Sequence, residues 1–204
     1  MAKPYVRSKD VFINCPFDSS YKPIFNAIVF AVCELGFRAR CALEIDDAGD
    51  TRLDKITRII GECKYGIHDI SATELNPVIH LPRFNMPLEL GLFLGCKRYG
   101  STSQRSKSLL ILDREPYRYR NFISDVSGQD IHTHGADPNR AIMEVRNWLA
   151  SKGGILPGGA TIQKHYARFV TMLPAMCQAF ALDSHELTFT DLSWVINKWL
   201  ISAR

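Results

Sequence analysis

Short apolar runs, set between stretches of helical spacing, constrain this chain more than any other feature. Val11-Phe12-Ile13-Asn14-Cys15 is one such run, ended by Pro16, and reads as a buried first strand. Pro23 to Leu35 follows, with Ile24, Ala27, Ile28, Ala31, Val32 and Leu35 on one helical stripe and Gly36 as the stop. Phe37 to Ile45 reads as a second strand. Asp50 or Thr51 then caps a helix carrying Leu53, Ile56, Ile59, Ile60 and Cys63. Tyr65 to Ile70 is a third strand, and Ser108 to Leu112, by its continuous apolar run, a fourth. Pro87 to Lys97 is an apolar helix with proline in its first turn. Asp130 to His134 suits a fifth, edge strand, and Ile142 to Ala150 an amphipathic helix. Arg114 to Gln129 follows no clear period, and its basic cluster, Arg114 to Arg120, reads as solvated loop. Strands alternating with helices imply right-handed parallel crossovers, and apolar strands imply a sheet covered on both faces. The expected fold is therefore α/β: a flavodoxin-like (Rossmann-like) three-layer parallel sheet with additional C-terminal helices. Ligands of such folds gather at the carboxyl ends of the strands.

A glycine-rich break, Gly153 to Gly159, divides the chain into 1–152, the nucleotide-binding-like α/β part, and 153–204. The latter carries two helices, Ile162 to Leu182 and Phe189 to Ile201, packed on the first part or mediating assembly, so a homo-oligomer is expected. Tyr166, Phe169, Trp194 and Trp199 read as core or interface. The six cysteines form no C-x-x-C pair and sit mostly in apolar runs, which suits a reducing cytoplasm. The polar first ten residues lack the apolar core of a signal peptide, and no apolar stretch is long enough to span a bilayer. With 25 Lys and Arg against 21 Asp and Glu, the formal charge of +4 favours an anionic small molecule slightly and argues little for nucleic acid.

The strongest chemical signal is Phe84-Asn85-Met86-Pro87-Leu88-Glu89-Leu90-Gly91, in which Glu89 is the only charge. Glu89 is expected in the first turn of a buried helix. Burial would raise its pKa and the helix N-terminus would lower it, a balance suited to a nucleophile or electrostatic stabiliser. A capping role, in which the glutamate reaches back to the first backbone amides, explains the same position equally well. Gly91 and Gly95 read as devices bringing this helix close to the sheet. Asp69 and Ser71, at the end of the third strand, are candidates to hold a base or ribose, or else form an Asx or Ser turn. His68 points to the other face and reads as structural. In the first loop Phe17 is placed to stack on a ring, and Asp18 to bind ligand or cap the helix. The glycines of a dinucleotide-binding loop are missing. Arg52 is a candidate for a phosphate or carboxylate, with a helix-start pair to Asp50 as the plainer reading. His132 and His134 share a strand face, yet nothing nearby completes a metal ligand set. Neither a metal nor a cofactor is expected.

Ile67-His68-Asp69-Ile70-Ser71 followed by Met86-Pro87-Leu88-Glu89-Leu90-Gly91 resembles the paired elements of the nucleoside 2-deoxyribosyltransferase-like family, which includes nucleoside monophosphate N-glycosidases. Val11-Phe12-Ile13-Asn14 is similar to the opening strand of TIR domains, some of which hydrolyse NAD. The resemblance spans roughly residues 10 to 113. It departs from the first family at Phe93, where a small residue is usual. It implies an N-glycosidase-type enzyme acting on the ribosyl–base bond of a nucleotide or nucleoside, NAD among them. Glu89 would be its catalytic residue, and Phe17, Asp18, Arg52, Asp69, Ser71, Asn85 and Met86 its substrate contacts. The alternative it leaves open is a non-catalytic nucleotide-sensing or TIR-like signalling module of a bacterial-style defence system.

Overall fold

The computed structural model describes residues 7–44, 47–73 and 83–202, with the side chains of positions 7 and 8 excepted. Five strands form one sheet: β1 (Arg7–Asn14), β2 (Arg38–Arg40), β3 (Cys63–Asp69), β4 (Ser108–Asp113) and β5 (Ile131–Thr133). Every pairing is parallel and the order is β2-β1-β3-β4-β5, the flavodoxin-like arrangement. The helices are α1 (Lys22–Glu34), α2 (Arg52–Glu62), α3 (Asn85–Tyr99), α4 (Thr102–Arg105), α5 (Pro138–Ala150), α6 (Gly159–Ala179) and α7 (Phe189–Ser202). The chain leaves β1 toward one edge of the sheet and returns past it to β3. A crevice therefore opens at the carboxyl ends of β1 and β3, where the winding reverses.

The strands' two-residue period sorts the core into layers. Val11 and Ile13 of β1, Ile67 of β3 and Leu110 and Leu112 of β4 face α1 and α5, while Phe12 between them faces α2 and α3. The helix α1 is buried along almost its whole length because it is covered twice, by the sheet beneath and by α6 and α7 above. Phe30 of α1 lies 5.2 Å from Phe169 and 5.5 Å from Trp199, ring centre to ring centre. Below the sheet, the buried Lys107 donates to the carbonyls of Ile60 and Cys63 and stands over the Phe93 ring, tying the end of α2 to β3. Burial lowers its pKa.

Several expectations need correction. The second strand is only three residues long, not the run from Phe37 to Ile45: beyond Arg40 the chain turns, and Glu44 folds back onto the Arg40 guanidinium. That guanidinium also meets Asp10 and Glu62, so the edge of the sheet ends in a charge cluster. Position 45 lies outside the described residues, as do residues 74–82 of the long loop after β3. A Cβ added at Gly91 or Gly95 would touch nothing, so neither glycine brings α3 close to the sheet. That role falls to Gly66 of β3, where a Cβ would sit 2.8 Å from both the Phe93 ring and His68 Nε2. The irregular stretch after β4 holds two short 3-10 turns, Arg118–Asn121 and Ser124–Val126. Arg118 is not solvated: it clamps Asp113 and donates to the Ile70 carbonyl at 2.8 Å.

Candidate functional site

Three chain segments meet at the crevice: the loop after β1, the end of β3, and the first turns of α3. Asn14, the last residue of β1, joins the first and third. Its buried Nδ2 donates to the Met86 carbonyl at 2.8 Å and lies 3.1 Å from His68 Nδ1. His68 is sealed between Phe12 and Phe93, and burial drives its pKa down to about 3, so it stays neutral. Met86 is thus an anchor for α3, with its side chain buried, while Asn85 at the start of α3 is exposed.

Glu89 falls at the fifth residue of α3, two residues further in than the sequence suggests because the helix starts at Asn85, and no acidic group occupies the first turn. The capping reading is thereby removed, since a glutamate that reaches back to the N-cap amide stands at the third position. The side chain is 5% exposed and forms no hydrogen bond among the described residues. Burial raises its pKa to about 7, against the pull of the Arg52 charge. The carboxylate also acts electrostatically on Cys15 and Cys41, whose thiols are raised first by burial. These neighbours set Glu89 beside the loops that follow β1 and β2.

Asp69 is fully buried, and both of its oxygens are engaged. Tyr21 donates its hydroxyl to Oδ2 at 2.6 Å, and the Ser71 amide donates to Oδ1 at 2.8 Å. His134 Nε2 lies 2.9 Å from the same Oδ2, close in distance but poorly aligned for a hydrogen bond. The Ala136 amide donates to His134 Nδ1, which fixes the ring proton on Nε2. Asp69 therefore ties the start of α1 to the end of β3, with His134 beside it, and at 0% exposure no face of it is left for a ligand. Asp113 stands next in this buried row. Burial raises its pKa, Arg118 opposes the rise, and the Asp69 charge adds to it. His132 turns elsewhere and pairs with Glu144 at 2.6 Å, so the two histidines do not converge. Among the described residues, no group of three His, Cys, Asp or Glu side chains is placed to hold a metal ion.

The remaining candidates line two hollows. A cavity of about 630 Å³ opens between the loop after β1, the start of α2, and the segment leading into α7. Phe17, packed edge-on against Phe25 at 5.5 Å, forms part of its wall with Leu43 and Phe189, and Arg52 and Lys55 stand at it. Glu89 does not line this cavity. The link between them is Arg52, which lines the cavity and whose charge acts on the carboxylate. Arg58, not Arg52, takes the ion pair with Asp50. A shallower hollow holds Ser71, Tyr21, Arg83 and His134. Asp18 borders both hollows and is committed: it accepts from Ser20, from the Tyr21 amide and from Arg83. Burial works against its ionisation, but these donors hold its pKa below the usual carboxylate value.

Sequence reasoning missed Lys55, although its place three residues after Arg52 on one helix was a readable signal. It also missed Tyr21 as the partner of Asp69, and the contribution of residues 184–192 to the cavity. The last of these has no local signal at all.

Fold and crevice together define a flavodoxin-like α/β protein bearing a C-terminal pair of helices. No protein-family model matches the chain, and no curated protein and no solved structure matches it. Among the described residues, no helix is long and apolar enough to cross a membrane.

Proposed function

We propose that the protein is an N-glycosidase-type enzyme that cleaves or transfers the ribosyl–base bond of a nucleotide-like substrate, NAD or a nucleoside phosphate. Glu89 acts as nucleophile or as stabiliser of an oxocarbenium-like transition state. One observation carries this reading: Glu89, a residue only 5% exposed, has no hydrogen-bond partner among the described residues, and Arg52, whose charge acts on it, lines a cavity of cations and aromatic rings. An unpaired buried carboxylate is costly, and such groups gather at sites of chemistry. The resemblance of the β3 end and of the Glu89-Leu90-Gly91 element to the nucleoside 2-deoxyribosyltransferase-like and TIR families supports the same assignment. Arg52 and Phe17 suit a phosphate and a ring. Asp69, already latched, supports the site rather than the substrate.

In this chemistry negative charge must face the anomeric carbon as the C–N bond breaks and the base leaves with the bonding pair. Glu89 must therefore be ionised, and kcat/KM is expected to rise with pH through about 7, the value to which burial lifts this group. Incubation with NAD and a panel of nucleosides and nucleotides, with released base measured, is the primary test. Glu89→Gln is expected to cut turnover by roughly 10²–10³-fold while the fold persists. A folded Glu89→Gln protein that keeps full turnover refutes the mechanism.

The absence of Glu89 from the cavity wall favours a second reading, nucleotide sensing without cleavage. Ligand-dependent thermal stabilisation with no base released from any substrate would select it.

A further inference from the structure

The C-terminal helices are not confined to covering α1. The segment joining them enters the wall of the 630 Å³ cavity through Ser184, Leu187, Thr188, Phe189 and Leu192. Two contacts hold it there, and a local cap stiffens it. Lys22 at the start of α1 donates to the His185 carbonyl at 2.8 Å. Phe189 lies 6.0 Å from Phe25 of α1, ring centre to ring centre. Thr188 and Asp191 bond reciprocally at the start of α7: the Thr188 hydroxyl donates to Asp191 at 2.6 Å and the Asp191 amide returns a bond to Thr188 Oγ1 at 3.1 Å. The wall is thus fixed to the core.

The charges around the cavity are unequal. Among the described residues its acid is Asp18, which is taken by Arg83, and Lys22 is spent on the His185 carbonyl. Arg52 and Lys55 line the same cavity and have no ion-pair partner among the described residues. Being three apart on α2, they share a helical face. A cavity of this volume with apolar walls and two unpaired cations fits a molecule with a flat apolar ring and an anionic end. We infer that residues 184–192 form the ring-binding wall of the nucleotide cavity, with Leu187 and Phe189 as its specificity-setting side chains, while Arg52 and Lys55 take the phosphate. The inference rests on the nucleotide-directed function proposed above but not on catalysis by Glu89.

The test uses the full chain, with calorimetric titration of AMP and of adenosine. AMP is expected to bind, and adenosine more weakly. Leu187→Trp, which fills the ring side, is expected to weaken both ligands by roughly tenfold or more, and Leu187→Ala to weaken both in the same direction. Arg52→Ala combined with Lys55→Ala is expected to weaken AMP and leave adenosine unchanged. If the wild-type chain shows no saturable AMP binding, or if both folded Leu187 variants bind as the wild type does, the wall is refuted. A silent Glu89→Gln protein alongside unaffected Leu187 variants would sink the wall alone. Leu187-dependent AMP binding with base release undiminished in Glu89→Gln would sink only the catalytic reading.

Discussion

At the scale of single residues, Glu89 makes a demand that the folded state does not offset. Its pKa is about 7 when folded, against an ordinary value of 4.5. The unfolded chain therefore releases the proton first, and between those values rising pH favours unfolding. The cost is complete above about pH 7 and is on the order of 3 kcal/mol. Glu89→Gln should consequently be more stable than the wild type at pH 8 and indistinguishable from it near pH 4. Thermal melts of the two proteins across that range check the point. The anomaly was legible in the sequence because a lone charge in the apolar run from Phe84 to Gly95 stands out. The latch around Asp69 was not, because Tyr21 and His134 lie far away in the chain and neither carries a local mark of its partner. Asp69 looked like a ligand group for that reason, when its oxygens were already spoken for.

At the scale of elements, two glycines of opposite meaning make a matched experiment. Gly66→Ala drives a methyl group into Phe93 and His68 at 2.8 Å, in a core that cannot yield freely. A loss of about 1–3 kcal/mol in urea unfolding is expected. Gly91→Ala meets nothing on an exposed helical face, and should stabilise by about 0.5–1 kcal/mol. Helix periodicity identified α3 but could not tell which partner supplies the close approach, since that depends on the strand opposite. The start of α2 was legible: Thr51 accepts from the Asp54 amide as an N-cap should. The early end of β2 was not, because it is set by the Arg40 charge cluster assembled from three separate segments.

At the scale of the whole molecule, sequence gave the parallel sheet and its two coats of helices. It left open where the last fifty residues go, because their pattern shows an apolar face without naming its partner. They pack across α1, with Trp199 at 2% exposure between Phe30 and Phe169. Trp199→Ala should cost about 3–5 kcal/mol in urea unfolding, as for any large ring removed from a core. Both outermost strands, β2 and β5, are only three residues long. Ribbons so brief offer few open amides and carbonyls on which a neighbouring backbone can template. Growth by adding strand to strand, the usual route from a native sheet to a fibril, is thereby disfavoured at both edges.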